Sequence, residues 1–396
     1  MKITTLKLMI FFIIGCSNGM KSTIEHPTEE NLDLSDQKHS AILQINEEIP
    51  NENIDVEQYS HYLTLKEMTE VYMIGTLYGK EEEMFGRIED VVIDSFNRVY
   101  ILDVSRQQIR VFNENGDYIS TIGGRGEGPG EFQFASSMAI YGDELLIVNN
   151  GYRLEVYDIS SKKIEFVETV QLEKRIHSIC ISGDQLYLHS FEPLSPDDML
   201  ENENYIQTIH AYSIPSYEHR FSFGQSYIHD DFAVIGRLTA GSLGCNDSSS
   251  TVIFTFDRMP VIHGYSSVDG ELLWKNRIDG LNFHRIIETR VGDGRSNLSY
   301  RIPETNIVDM LSPSITIIDE YEIFQVIRTN LPELGVDRTV EVFTFQMNSS
   351  NGQALYIGNA IPELVTFSNN FIVSRDLLDG YTSIKIYKSD IGVISE

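Results

Sequence analysis

The side chains with the most chemistry to offer are arginines, whose planar forks match carboxylate, phosphate and uronic-acid oxygens two at a time. Arg87, Arg125, Lys174, Arg175, Arg237, Arg285, Arg290, Arg295 and Arg301 lie between groups of strand-like runs, and they are nine of the chain's 30 basic residues. Brought to one rim, Arg87, Arg125, Arg175, His177, Arg237, Arg285 and Arg295 would form a basic site for an anionic group. The same stretches carry acids, Glu81-Glu82-Glu83 among them, so local ion pairs compete with that use. A second chemistry would hold a metal ion between carboxylates and imidazole. Glu89, Asp90, His177 and Glu363 have the right types for such a hydrolase or lyase. Four such residues in so acidic a chain are near what chance supplies. No GxSxG, HExxH, EF-hand or CxxC spacing occurs. No catalytic residue, metal ligand or cofactor is therefore expected, and calcium or zinc enters only with the hydrolase alternative. His210, His219, His229 and His263 are scattered and read as strand or surface residues.

Two further features have structural readings. The run Gly123-Gly124-Arg125-Gly126-Glu127-Gly128-Pro129-Gly130 lacks a following Gly-Lys-Ser/Thr and opens no helix, which excludes a phosphate loop. It reads as a connector whose glycines reach positive φ. Asp103 ends a strand, and a carboxylate there can accept N–H bonds from the adjacent turn. Cys180 and Cys245 lie in apolar strand-like segments, where buried thiols are favoured over a bridge, although a bridge is chemically allowed outside the cytoplasm.

These residues need elements to position them. Of 396 residues, 41% are hydrophobic, enough for a large core. Acids outnumber bases 59 to 30, giving a charge of −29. Such a field repels polyanions, so nucleic acid is not an expected partner. Residues 16–60 are polar and acidic and read as a flexible tether. From there to residue 396 the chain is built of short β-branched and aromatic runs punctuated by Gly, Asn and Asp. Asp90–Asp94, Arg98–Asp103, Gln108–Phe112 and Tyr118–Gly123 make an antiparallel meander of four strands. Its second strand recurs as Leu145–Val148, Leu186–Leu188, Val252–Phe256, Ile323–Ile327 and Phe371–Val373. That spacing predicts six repeats of one sheet. The sixth lacks a fourth strand, and Glu70–Gly75 is a spare strand of the right type. Pairing the two would close a ring and remove exposed edges. Residues 279–312 read as a long excursion over one mouth of that ring, a candidate lid or partner contact.

Phe85-Gly86-Arg87, Tyr100-Ile101-Leu102-Asp103 and the stretch Ile122 to Phe132 resemble the NHL-type six-bladed β-propellers, above all the lipoprotein propellers of Bacteroidetes. The resemblance implies an all-β fold of six four-stranded antiparallel blades over residues 61–396. At the other end, Leu8–Ile14 is an apolar run too short to span a bilayer, preceded by Lys2 and Lys7. It leads into Ile13-Ile14-Gly15-Cys16, which resembles a bacterial lipobox. That likeness implies a signal peptide over residues 1–15 and lipidation of Cys16. Cleavage there would leave 28 basic against 59 acidic residues, a charge of −31. Ser17 resembles the outer-membrane sorting signal. The expectation is an outer-membrane lipoprotein of the cell envelope that binds or scaffolds a protein or glycan, touching the membrane through its anchor. A lactonase-like hydrolase at the channel mouth is the alternative.

Overall fold

In the computed structural model the described residues are 22–26, 40–44, 68–190, 206–229, 231–283, 285–291, 295–301, 306–313, 315–318, 321–330, 340–368, 371–378 and 381–388. Three strands come first: β1 (Ser22–His26), β2 (Ser40–Gln44) and β3 (Thr69–Ile74). The first sheet is β4 (Ile88–Ile93), β5 (Val99–Asp103), β6 (Gln108–Phe112) and β7 (Tyr118–Gly123). The second is β8 (Ser137–Tyr141), β9 (Glu144–Asn149), β10 (Arg153–Asp158) and β11 (Glu165–Gln171). The third is β12 (Ser178–Ser182), β13 (Gln185–His189), β14 (Gln207–Ser213) and β15 (His219–Gln225). A short helix α1 (Phe232–Leu238), capped by Asp231, leads into the fourth: β16 (Gly241–Asn246), β17 (Thr251–Phe256), β18 (Val261–Ser266) and β19 (Leu272–Asp279).

A hairpin follows, β20 (Arg285–Val291) and β21 (Arg295–Arg301). In the fifth sheet β22 (Ile307–Leu311) and β23 (Ile315–Ile318) share one long partner, β24 (Tyr321–Asn330), which then pairs β25 (Val340–Asn348), and β25 pairs β26 (Ala354–Gly358). The sixth holds β27 (Leu364–Ser368), β28 (Phe371–Leu378) and β29 (Tyr381–Lys388), with β3 antiparallel to β29 as its outer strand.

Each sheet buries its middle strands on both faces. β5 is buried at every position, whereas outer β7 is mostly exposed. Near-continuous apolar runs mark a strand covered on two sides. The core is accordingly a series of clusters between consecutive sheets. One joins the first and second sheets through Tyr100, Phe132 and Ile147. Another joins the sixth to the first through Ile384, Ile386, Val91 and Ile101.

Local polar anchors explain why the connectors take their course. The Asp94 carboxylate accepts N–H bonds from Phe96 and Arg98 (2.9 and 2.8 Å), the Arg98 Nε–H (2.6 Å) and the Tyr100 hydroxyl (2.9 Å). Arg98 also donates to the carbonyls of Ile159 and Ser161, which ties the first sheet to the second. Asp103 accepts from the backbone of Gly86, Arg87, Ser105 and Arg106. Asn149 has the same role in the next sheet, accepting from Gln133 N–H and donating to the Glu131 carbonyl. The glycine run is a sheet-to-sheet connector. Gly123 has φ +80°, and a Cβ there would meet the Phe132 ring at 2.1 Å.

Three expectations need correction. Cys180 and Cys245 form a disulfide between β12 and β16 rather than two thiols, because the inner strands of neighbouring sheets bring their Cα atoms to 5.6 Å. Residues 16–60 are not a free tether throughout. β1 pairs antiparallel with β20, and β2 adds to β19 as a parallel fifth strand, with Leu43 buried beside Ile278 and Phe283. The described residues of the excursion over 279–312 are largely strand rather than loop: they supply the β20–β21 hairpin and β22. The hairpin's unpaired edge is what β1 covers. Cys16 and residues 1–15 lie outside the described residues.

Candidate functional site

A close group of titratable side chains lies where β1, β20 and the connector after β15 meet. Glu288 in β20 is wholly buried, and its Oε2 lies 3.1 Å from both His26 Nε2 and His229 Nε2. Its other oxygen accepts the Arg290 Nε–H at 2.8 Å. Arg290 Nη2 is 3.2 Å from His229 Nε2. The second nitrogen of His26, Nδ1, is hydrogen-bonded to the Tyr227 hydroxyl at 2.9 Å. The two imidazoles meet edge to face with centroids 4.8 Å apart. Burial lowers the pKa of His26, partly offset by its hydrogen bond to Glu288.

The placement follows from strand geometry. His26 is opposite Ile286 and Ile24 opposite Glu288, so β1 delivers its last residue beside the carboxylate. Ile286 and Leu298 on the hairpin pack against Val234 and Leu238 of α1 and Phe254 of the fourth sheet, which seats the hairpin on the connector bearing His229. Among the described residues this is the one group of three His, Cys, Asp or Glu ligand atoms within 4.8 Å of one another. Its chemistry fits a divalent metal ion or a hydrogen-bonded hub. By sequence His229 reads as a strand or surface residue, and His26 falls in the expected tether. No local spacing signals the pair, since 201 residues separate His26 from Tyr227 and 262 separate it from Glu288.

The expected basic rim is distributed over several elements. Arg87 is exposed, and its Nε and Nη2 donate to Glu89 at 3.0 and 2.7 Å. Arg125 is exposed and reaches the Ser105 carbonyl at 3.5 Å. Arg175 is exposed with its stem against Gly151. Arg237 is in the last turn of α1, and Arg295 stands in β21 opposite Val291. His177 is held down to about 4 by burial and then by Arg175. Its ring lies 5.7 Å from that of His189, which burial takes down to about 3. Arg285 and Arg301 do come together. They face each other directly across β20 and β21, and Glu25 of β1 lies between them, 3.7 Å from Arg285 and 3.3 Å from Arg301.

The hydrolase residues have separate partners. Glu89 is bound to Arg87, and Glu363 pairs with Arg375. Asp90 accepts N–H bonds from Met138 and Val91 at 2.7 and 2.8 Å, and burial pushes its carboxyl up to about 6 against their pull. The sole three-ligand group described excludes all four residues.

A family model described as a 6-bladed beta-propeller matches residues 44–231, a little under half of the chain. The fold is a β-propeller. A Bacteroides fragilis protein described as exported is similar over 88% of this chain and 98% of its own, at 11% identity and a TM-score of 0.51. A DUF4221 family member from Bacteroides vulgatus is similar over 82% of this chain and 97% of its own, at 9% identity and a TM-score of 0.46. No curated protein matches the sequence. In propeller terms the six sheets are blades. The His26–His229–Glu288 cluster then lies between the connector from blade three to blade four and the hairpin inserted before blade five.

Proposed function

We propose that the chain is a lipid-anchored outer-membrane propeller, closed into a ring by β3, that binds or scaffolds an envelope protein or glycan through an anionic group. The observation that carries the reading is the Arg285–Arg301 pair. Two guanidiniums directly opposite on neighbouring strands repel each other, and here one carboxylate, Glu25, serves both. All three side chains are well exposed, at 39, 59 and 45% for Arg285, Arg301 and Glu25. A ligand carboxylate or phosphate would relieve the remaining positive charge by forked hydrogen bonds. Ring closure is supported by the β3–β29 pairing and by the core cluster between blades six and one. The lipobox-like Ile13-Ile14-Gly15-Cys16 supports the anchor, and the export described for the Bacteroides fragilis relative supports the envelope address. The overall charge of −29 argues against nucleic acid as the ligand.

The test is calorimetric titration with an oligouronate, with a neutral oligosaccharide of equal length as control. Binding of the acidic sugar alone, weakened at least tenfold by Arg285→Gln with Arg301→Gln and weakened by salt, is the expected result. Equal binding of both sugars, or an unchanged affinity in the double variant, would remove the arginine pair from the function. Replacing Cys16 by Ser should release the protein from the membrane fraction, and retention there would remove the lipid anchor from the reading.

A further inference from the structure

We infer that His26, His229 and Glu288 form a structural zinc site that fastens the N-terminal strand to the propeller. Zinc with nitrogen and oxygen ligands at about 2.0–2.1 Å in a tetrahedron sets neighbouring donor atoms about 3.3 Å apart. Two edges of that figure are already present: Glu288 Oε2 lies 3.1 Å from each histidine Nε2. All three donor atoms lie within 4.8 Å of one another. Two imidazoles and one carboxylate suit zinc over calcium or magnesium, which take oxygen ligands.

The surroundings of His26 match what a metal-bound histidine requires. Its second nitrogen ordinarily donates to a fixed acceptor, which orients the ring. The Tyr227 hydroxyl stands 2.9 Å from His26 Nδ1 in that position. The Arg290 Nε–H holds the far oxygen of Glu288 at 2.8 Å and leaves Oε2 for the ion. His229 differs: its Nδ1 accepts the Asp231 N–H at 2.9 Å, so ligation through Nε2 requires that bond to break and the ring proton to move to Nδ1. Arg290 Nη2, 3.2 Å from His229 Nε2, also competes with the ion and has to swing aside when it binds. A water molecule would fill the fourth position.

Burial argues for a structural rather than a catalytic role. The side chains of His26, His229 and Glu288 are 3, 8 and 0% exposed. Two histidines, one carboxylate and a water are the donor count of a catalytic zinc, but with all three side chains buried the water position is closed to a substrate, so the ion would serve structure. The three ligands come from segments far apart in sequence, so one ion would join β1, the blade three–four connector and the inserted hairpin. The site is independent of the arginine pair proposed above as the ligand contact, although β1 contributes to both.

The test uses the full chain, stripped of metal and then loaded with zinc or cobalt and desalted. The expected result is about one zinc per chain by elemental analysis, with cobalt giving the visible bands of a four-coordinate site. His26→Ala and His229→Ala should each reduce zinc affinity at least a hundredfold. Tyr227→Phe keeps all three ligands and should cost about tenfold. Arg290→Gln should hold zinc as tightly or more tightly, because it removes the competing cation. Zinc should also protect the chain around residue 26 from limited proteolysis. A wild-type protein with native circular dichroism that retains no zinc and shows no cobalt bands would overturn the inference. So would stoichiometric zinc that His26→Ala and His229→Ala leave unchanged. If the cluster is only a hydrogen-bonded hub, Arg290→Gln would destabilise the fold and gain no metal.

Discussion

Blade one and the junction of blades three to five solve the same problem by different means. Both must satisfy buried polar groups and cover strand edges. In blade one the solution is mostly local, although Arg98 also donates to the carbonyls of Ile159 and Ser161 in blade two. Asp94 serves Arg98 and Tyr100, four and six residues away, and Asp103 serves Gly86 and Arg87 across one turn. At the junction the partners are remote: His26 with Glu288, Cys180 with Cys245, β2 with β19. The difference teaches where an insertion finds its support. The β20–β21 hairpin presents an open edge, and a distant segment covers it. Remote contacts of this kind carry a larger loop-closure cost than local ones, so cross-links such as a disulfide have more to contribute there.

The sharpest way to break the comparison is to attack blade one. Asp94→Ala leaves the buried Arg98 guanidinium without its carboxylate and should cost about 3–5 kcal/mol. Urea denaturation measures this, and a loss under about 1 kcal/mol would mean that local anchors do not dominate blade one. Next comes the remote cross-link. Replacing Cys180 and Cys245 by Ser, or reducing the bond, should cost about 2–4 kcal/mol for a loop of 65 residues. Melting curves with and without reductant read it, and no shift would remove the disulfide from the junction's stability. Gly123→Ala should cost about 1–3 kcal/mol, because the new Cβ meets the Phe132 ring and φ is positive. A neutral result would show that this connector can repack.

The smallest effect distinguishes the two regions by pH. The folded pKa of Asp90 is raised to about 6, so its contribution is fully present below the unfolded value and is lost as pH rises towards and through 6. In blade three, His177 and His189 are lowered to about 4 and about 3. Their contribution is fully present above the unfolded value near 6.5 and is lost as pH falls from there through 4 to 3. Hydrogen exchange at pH 4.5 and 7.5 should therefore show blade three loosening at the acid end and blade one at the neutral end. Asp90→Asn should flatten the blade-one trend, and an unaltered slope would assign that trend to another group.

Much of blade one was legible because its chemistry is short-ranged. The alternation of Gln108–Phe112, the turn at Asn113–Gly116 and the carboxylate at Asp103 each act on neighbours within about twenty residues, so spacing reveals them. The spare strand Glu70–Gly75 could be read as a partner for the last blade, because the repeat left one strand missing there. The candidate metal cluster was not legible. His26 sits in a polar stretch with the composition of a tether, and His229 carries no motif. Glu288 looked like one more acid among 59.

The sequence alone determined the strand period, the repeat and the excess of acids, since these depend on side-chain alternation and composition. It also determined which connectors need glycine, as at Gly123, because one backbone conformation demands it. Tertiary structure alone decided that two cysteines 65 residues apart become a bridge. It also decided that a stretch of apparent tether becomes β1 and β2, and that His26, His229 and Glu288 share one buried point. The physical reason is common to all three. Each depends on which edges and faces remain uncovered once the blades have packed, and that is a property of the assembled surface rather than of any stretch of chain.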